Sequence, residues 1–332
     1  MDELTKNERV INTLKKNEVD RPPVSMWKHF FKEENSSNGL AESMLSFQNK
    51  FNWDFMKVNP RFSYHTEDWG VKMKTYDDSF KSPDKIEYPI KQKSDWNKIK
   101  YLDINKGVLG EHLESLRIIS RGLREEVPFV MTIFTPLSIA ADLMKTNEEM
   151  KKQMKNNKEE VHQALEVITE TFIDFSKECL KIGSWGIFYA TTHWGTHNQM
   201  TKEEYEEFGK FYDLKVLKEV SKAEFNILHV CKSNNMLKFL SDYPVNAFNW
   251  DSQDSTNLSL KEGKIITGKA VIGGISHNNT ILSKNPKDIF NEVREIKKEM
   301  GTNGWIIGPG CTFPPESSDA NLKSLIDANK IN

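Results

Sequence analysis

Two cysteines and a histidine carry the most specific chemistry this sequence can do. His229 and Cys231 end the apolar run Phe225-Asn226-Ile227-Leu228-His229-Val230-Cys231. On a β-strand, residues i and i+2 point to the same face, so the imidazole and the thiol project together. Cys311 ends a second apolar run, Gly304-Trp305-Ile306-Ile307-Gly308-Pro309-Gly310-Cys311. Two strands therefore deliver His, Cys and Cys at their ends, a soft donor set suited to zinc. Three protein ligands with a fourth position open is the pattern of a working zinc site, whereas a structural site is closed by four. Core packing is the alternative, because free cysteine behaves as a small buried apolar side chain. The joint pattern favours the metal, since two of only three cysteines sit at such ends and one has a histidine at i−2. Cys179 lies in a stretch of helical spacing and reads as packing.

Positioning these groups requires a substantial core, which 332 residues with 37% hydrophobic content can supply as one large domain or two ordinary ones, the barrel below making it a single domain over 1–332. A net charge of −2 gives no field for a polyanion, so neither nucleic acid nor an acidic membrane is expected as a partner. No apolar run approaches the ~18–20 residues of a membrane span, and Met1-Asp2-Glu3-Leu4-Thr5-Lys6 lacks the order of a signal peptide. A cytoplasmic protein with reduced thiols is the expectation.

Along the chain, helical spacing over Thr5–Lys15 stops before Asp20-Arg21-Pro22-Pro23. Strands are expected at Val24–Trp27, Asp54–Pro60, Pro128–Pro136, Gly186–Ala190, Phe225–Val230, Ala247–Trp250, Ala270–Ile275 and Gly304–Ile307. Helices are expected at Gly39–Phe51, Gly107–Arg124, Leu137–Leu143, Asn147–Lys155, Glu159–Lys181, Lys202–Lys222, Asn234–Leu240, Pro286–Met300 and Ser318–Ala328. An irregular excursion, with a hairpin inside it, occupies about 61–106. Short apolar strands alternating with helices describe a parallel βα array, and closure at eight makes a (β/α)8 TIM barrel. An open doubly wound sheet is the competing architecture, and the early βα turns offer no Gly-rich phosphate fingerprint to support it. Barrel enzymes build their sites where strands end at the C-terminal face, which is where His229, Cys231 and Cys311 fall. Asn59, Arg61, His193 and His277 fall on the same rim as candidate substrate- or cofactor-facing groups. Asp251 ends the strand after the one carrying His229, placed to be a displaceable fourth oxygen ligand or the partner that orients His229.

These segments resemble the uroporphyrinogen decarboxylase superfamily over nearly the whole chain. Asn7-Glu8-Arg9-Val10 through Val19-Asp20-Arg21-Pro22-Pro23-Val24 is similar to its N-terminal signature, and Gly308-Pro309-Gly310-Cys311-Thr312-Phe313-Pro314-Pro315-Glu316 to its C-terminal one. Within it, the decarboxylases carry an arginine-bearing loop where this chain reads Ser25-Met26-Trp27-Lys28-His29-Phe30-Phe31, and their catalytic aspartate aligns with Asn59 or Pro60. His229-Val230-Cys231 with the distant Cys311 instead resembles the zinc motif of the methylcobamide:coenzyme M methyltransferase branch. That resemblance implies a zinc-dependent methyltransferase that moves a methyl group between a corrinoid and a small thiol acceptor, with a corrinoid protein as partner. Uroporphyrinogen decarboxylation without metal and a non-catalytic corrinoid-docking module are the other readings.

Overall fold

The computed structural model describes residues 3–331. Helix α1 (Lys6–Leu14) opens on a capping box, in which Thr5 accepts from the Glu8 amide and the Glu8 carboxylate accepts from the Thr5 amide. Helix α2 (Ser37–Phe51) leads into β1 (Met56–Val58), and the excursion follows. It contains the short helix α3 (Tyr64–Glu67) and an antiparallel hairpin of β2 (Lys72–Lys74) and β3 (Asp84–Glu87). Helix α4 (Gly107–Leu123) returns the chain to the βα alternation. The remaining strands are β4 (Phe129–Phe134), β5 (Gly186–Ala190), β6 (Ile227–His229), β7 (Ala247–Asn249), β8 (Ala270–Ile275) and β9 (Trp305–Pro309).

Seven parallel strands form one sheet in the order β1-β4-β5-β6-β7-β8-β9. Val24 joins its two edges. It bridges parallel to Ile307 of β9, with Ser25 N donating to Ile307 O at 3.0 Å and Ile307 N to Pro23 O at 2.8 Å. On its other side, Asp54 N donates to Val24 O at 2.9 Å. The ring is thus a (β/α)8 barrel whose first strand is a single bridged residue rather than the expected Val24–Trp27. Pro22 and Pro23 carry no N–H, so a ladder cannot begin before Val24. The Val24 amide itself donates to the buried Asp54 carboxylate at 2.8 Å.

Period-two alternation splits the strands between two cores. Phe55, Val130, Phe188, Ile227, Ala247, Ile272 and Ile306 fill the barrel with Trp27, while their neighbours Met56, Met131, Tyr189, Leu228, Phe248, Val271 and Ile307 pack against the helices. Inside the barrel the polar residues on the inward side of this alternation include Thr132, His229, Lys57, with 4% of its surface exposed, and Asn249, with none.

Two helical expectations are corrected and one helix was missed. Asn234–Leu240 forms turns, since Lys232 and Asn234 adopt φ of +71° and +51° and Asn234 N bonds to Thr256 Oγ1 rather than starting an i→i−4 ladder. The expected Lys202–Lys222 helix divides into α-helical Lys202–Tyr205 and Phe211–Glu219 around a π-helical turn at Glu206–Lys210. A helix at Leu260–Thr267 was not expected, although Ser259 and Glu262 form its capping box.

Candidate metal centre at the barrel mouth

β6 and β9 bring His229, Cys231 and Cys311 together, their donor atoms all within 4.8 Å of one another. The two sulfurs stand 3.8 Å apart. Two thiolates each about 2.3 Å from one zinc, at a tetrahedral angle, would also be about 3.8 Å apart, whereas a disulfide would need about 2.05 Å. The donor set therefore fits a tetrahedral cation. Left to themselves, the thiols divide one proton. The contact with Cys231 holds the Cys311 thiol well below its ordinary range, with His229 adding to the effect, and the same contact together with burial pushes Cys231 up. A cation between them would favour ionisation of both.

Asn249 fixes the imidazole. Its amide nitrogen donates to Ile272 O at 2.9 Å and Pro309 O at 3.1 Å, which turns Oδ1 toward His229 Nδ1 at 2.6 Å. The Nδ1 hydrogen is committed to that bond, so Nε2 carries the free lone pair. The Phe188 ring stacks on the imidazole with centroids 5.2 Å apart. On the β9 side, Gly310 lets Cys311 approach, because a Cβ there would lie 2.7 Å from Asp251 Cα.

The reading of Asp251 as the partner of His229 is corrected. Asn249 occupies that place, in direct register with His229. The Asp251 carboxylate also lies outside the donor set; it accepts from Gln253 N at 3.1 Å and faces His277 Nδ1 at 3.5 Å. Asn59, Arg61 and His193 do line the same cavity of about 240 Å3 as the three donors. Arg61 is already engaged, with Nε 3.0 Å from a Glu67 oxygen and Nη1 3.4 Å from Glu111. Asn59 accepts from Lys57 Nζ through Oδ1 and leaves Nδ2 without a partner. His193 is exposed on the rim, and partial desolvation there moves its pKa down, with Lys232 adding to the effect. Thr192 and Lys232, which line the cavity beside His193 and Cys231, both hold left-handed φ, +47° and +71°. Such strain gathers at sites that need a fixed backbone.

Lys57 and Asn249 were missed from sequence. Each is a polar residue at an inward position of an otherwise apolar strand, and that was the available signal. Replacing Asn249 with alanine is expected to weaken zinc affinity about 10 to 100-fold, the usual cost of losing a group that orients a ligating histidine. Competition against a chromogenic chelator measures it, and unchanged affinity would remove Asn249 from the centre.

The chain matches the uroporphyrinogen decarboxylase (URO-D) family over residues 5–330. A methylcobamide:CoM methyltransferase of Methanosarcina acetivorans is 21% identical over 345 residues, covering 99% of each chain. Another, from Methanosarcina barkeri, is 25% identical over 65% of this chain and 62% of its own. A solved methyltransferase structure from Methanosarcina mazei superposes with a TM-score of 0.84 over 98% of each chain at 22% identity, a likeness of fold. Among the described residues no helix is long and apolar enough to cross a membrane. By the near-complete reach of the family match over this barrel, the chain belongs to the uroporphyrinogen decarboxylase family.

Proposed function

We propose that this protein is a zinc-dependent methyltransferase that moves a methyl group between a corrinoid and a thiol acceptor. The observation that carries the reading is the donor set of His229, Cys231 and Cys311, with its 3.8 Å sulfur separation and its histidine oriented by Asn249. The matched relatives named as methylcobamide:CoM methyltransferases support it. Zinc bound there would act as a Lewis acid and template, lowering the pKa of an incoming thiol.

The chain's own residues would do the rest. His229, Cys231 and Cys311 would hold the ion at the wall of the cavity, where it would supply Lewis acidity to a thiol. At about 240 Å3 the cavity is below the usual range for ligand pockets and suits a small acceptor, with the corrinoid approaching from the mouth. Lys232 on its wall favours an acceptor that carries an acid group, as coenzyme M does. Asn59 offers its free amide hydrogens to the same space. We assign His193, Arg61 and His277 to the corrinoid-facing rim.

Zinc-loaded protein incubated with methylcobalamin and coenzyme M is expected to form the methyl thioether and reduced cobalamin, seen as loss of the methylcobalamin absorption. Absence of turnover with coenzyme M and homocysteine, alone and with a corrinoid protein, would refute the reading. Asp251, packed against Gly310 at the turn into Cys311, has a part that mutation can isolate. Asp251→Ala is expected to keep most of the zinc, since His229, Cys231 and Cys311 remain, and to lower methyl transfer through the Gly310 turn it packs against. Unchanged turnover with a lowered melting temperature would reduce it to a turn residue.

A further inference from the structure

Lys57 is buried within the barrel, 4% exposed, at an inward position of β1. Its Nζ sits 4.8 Å from the centre of the Phe188 ring, the same ring that stacks on His229, and 5.9 Å from that of Trp27. Its hydrogen-bond partner is Asn59 Oδ1, an acceptor that suits an amine and an ammonium alike. No carboxylate forms an ion pair with it among the described residues. Burial brings its pKa down to about 7, opposed by Cys311 at the end of β9 and by Glu34 in the turn Glu33–Asn35. An amine this buried, this poorly paired and on the wall of the same cavity as Cys231 and Cys311 is poised to change charge when the site does.

The charge of the proposed centre does change during the reaction. A divalent cation with two thiolates and a neutral imidazole is neutral. A free thiol has a pKa of about 8.5, so at neutral pH the acceptor arrives protonated and must lose that proton to become a nucleophile. Once it has, the centre carries one negative charge inside a barrel that solvates charge poorly, and a nearby ammonium restores neutrality.

We propose that Lys57 Nζ takes the proton the acceptor thiol loses on entering the site and holds it until the methylated product leaves. The thiol S–H bond breaks and an N–H bond forms on Lys57, directly or through one water. The sulfur then bonds to the methyl carbon as the methyl–cobalt bond breaks, its electron pair staying on cobalt. When the neutral thioether departs, the centre is neutral again and Lys57 returns the proton to solvent. Trp27 and Phe188 stabilise the ammonium through their ring faces meanwhile.

This proposal rests on the methyltransferase reading, and proton counting separates the two. Coenzyme M binding to zinc-loaded protein is followed by calorimetry at pH 8 in two buffers of different ionisation enthalpy. Binding itself is confirmed by the thiolate-to-metal absorption of cobalt(II)-substituted protein. Wild type is expected to release close to no proton per thiol bound. Lys57→Met and Lys57→Arg are expected to release about three quarters of a proton, the protonated fraction of a thiol of pKa about 8.5 at that pH. Arginine keeps the charge but cannot give up its own proton, so it distinguishes proton acceptance from mere charge balance. Methionine replaces the buried amine with an apolar chain of similar length and should fold. Equal release by wild type and both variants would overturn the role of Lys57 while leaving the methyltransferase intact. Failure of the thiol to bind any of the zinc-loaded proteins would overturn both.

Discussion

Cys311→Ser protein is expected to lose most of its zinc and to transfer methyl at least about 10³-fold more slowly, with Cys231→Ser close behind. A serine hydroxyl stays protonated where a cysteine is ionised by the metal, and its oxygen is a far poorer ligand for zinc than thiolate. The two sulfurs are set 3.8 Å apart by β6 and β9, so the remaining pair, His229 and one thiolate, cannot close around the cation without moving a strand. The barrel itself should survive. Its interior is packed by Trp27, Phe55, Phe188, Phe225 and Ile306 with no help from a metal, and a chain of this size buries enough surface without one. Zinc analysis of protein purified without added metal, together with circular dichroism melts with and without chelator, checks both halves. Full zinc in both serine variants would remove the centre, and a chelated barrel that melts without cooperativity would make the metal structural.

What the sequence made legible followed from side-chain period. Residues i and i+2 of a strand share a face, which was enough to put His229 with Cys231, and apolar runs ending in glycine or proline were enough to find the strands of the barrel. Which residues oppose one another across strands was not legible, because register is fixed by the whole ring. The partner of His229 was therefore sought beyond the end of the next strand, at Asp251, when it lies within that strand at the position paired with His229. Asn249 looked like one more residue of an apolar stretch, and only the carbonyls of Ile272 and Pro309, from β8 and β9, reveal why its amide points as it does. Lys57 was hidden for a related reason. A lysine in a short strand reads as an edge or a solvated face, and only ring closure turns that face inward. The first strand was overestimated because the ladder it makes is one residue long, and what holds Val24 in place is a side chain far along the sequence.

That side chain is Asp54, and Asp54→Ala is expected to cost about 3–5 kcal/mol, the range for breaking a buried ion pair from one side. Its carboxylate is fully buried and accepts from Val24 N at 2.8 Å, from Arg9 Nη1 at 2.8 Å and from Arg21 Nη1 at 2.6 Å. Arg21 is 22% exposed and can turn to water, but Arg9 is 2% exposed and keeps only Asp20 and the Leu4 carbonyl when Asp54 is gone, with nothing left for Nη1. Asn7-Glu8-Arg9-Val10 and Asp20-Arg21-Pro22-Pro23-Val24 thereby acquire a physical meaning: they supply the ion cluster that seats the closing strand. The damage should reach the metal, since Val24 pairs with Ile307 of β9, and β9 leads into Cys311. Asp54→Ala is accordingly expected to lower zinc affinity as well as the denaturant midpoint, whereas Asp54→Asn, which still offers Val24 an acceptor, should lose stability with less effect on zinc. Replacing Arg9 and Asp54 together, as Arg9→Met with Asp54→Leu, removes the stranded charge and should recover part of the loss. Urea unfolding of the three variants decides the matter: a cost below about 1 kcal/mol for Asp54→Ala would mean that packing of Trp27 and Phe55 closes the ring and that the ion cluster is incidental to it.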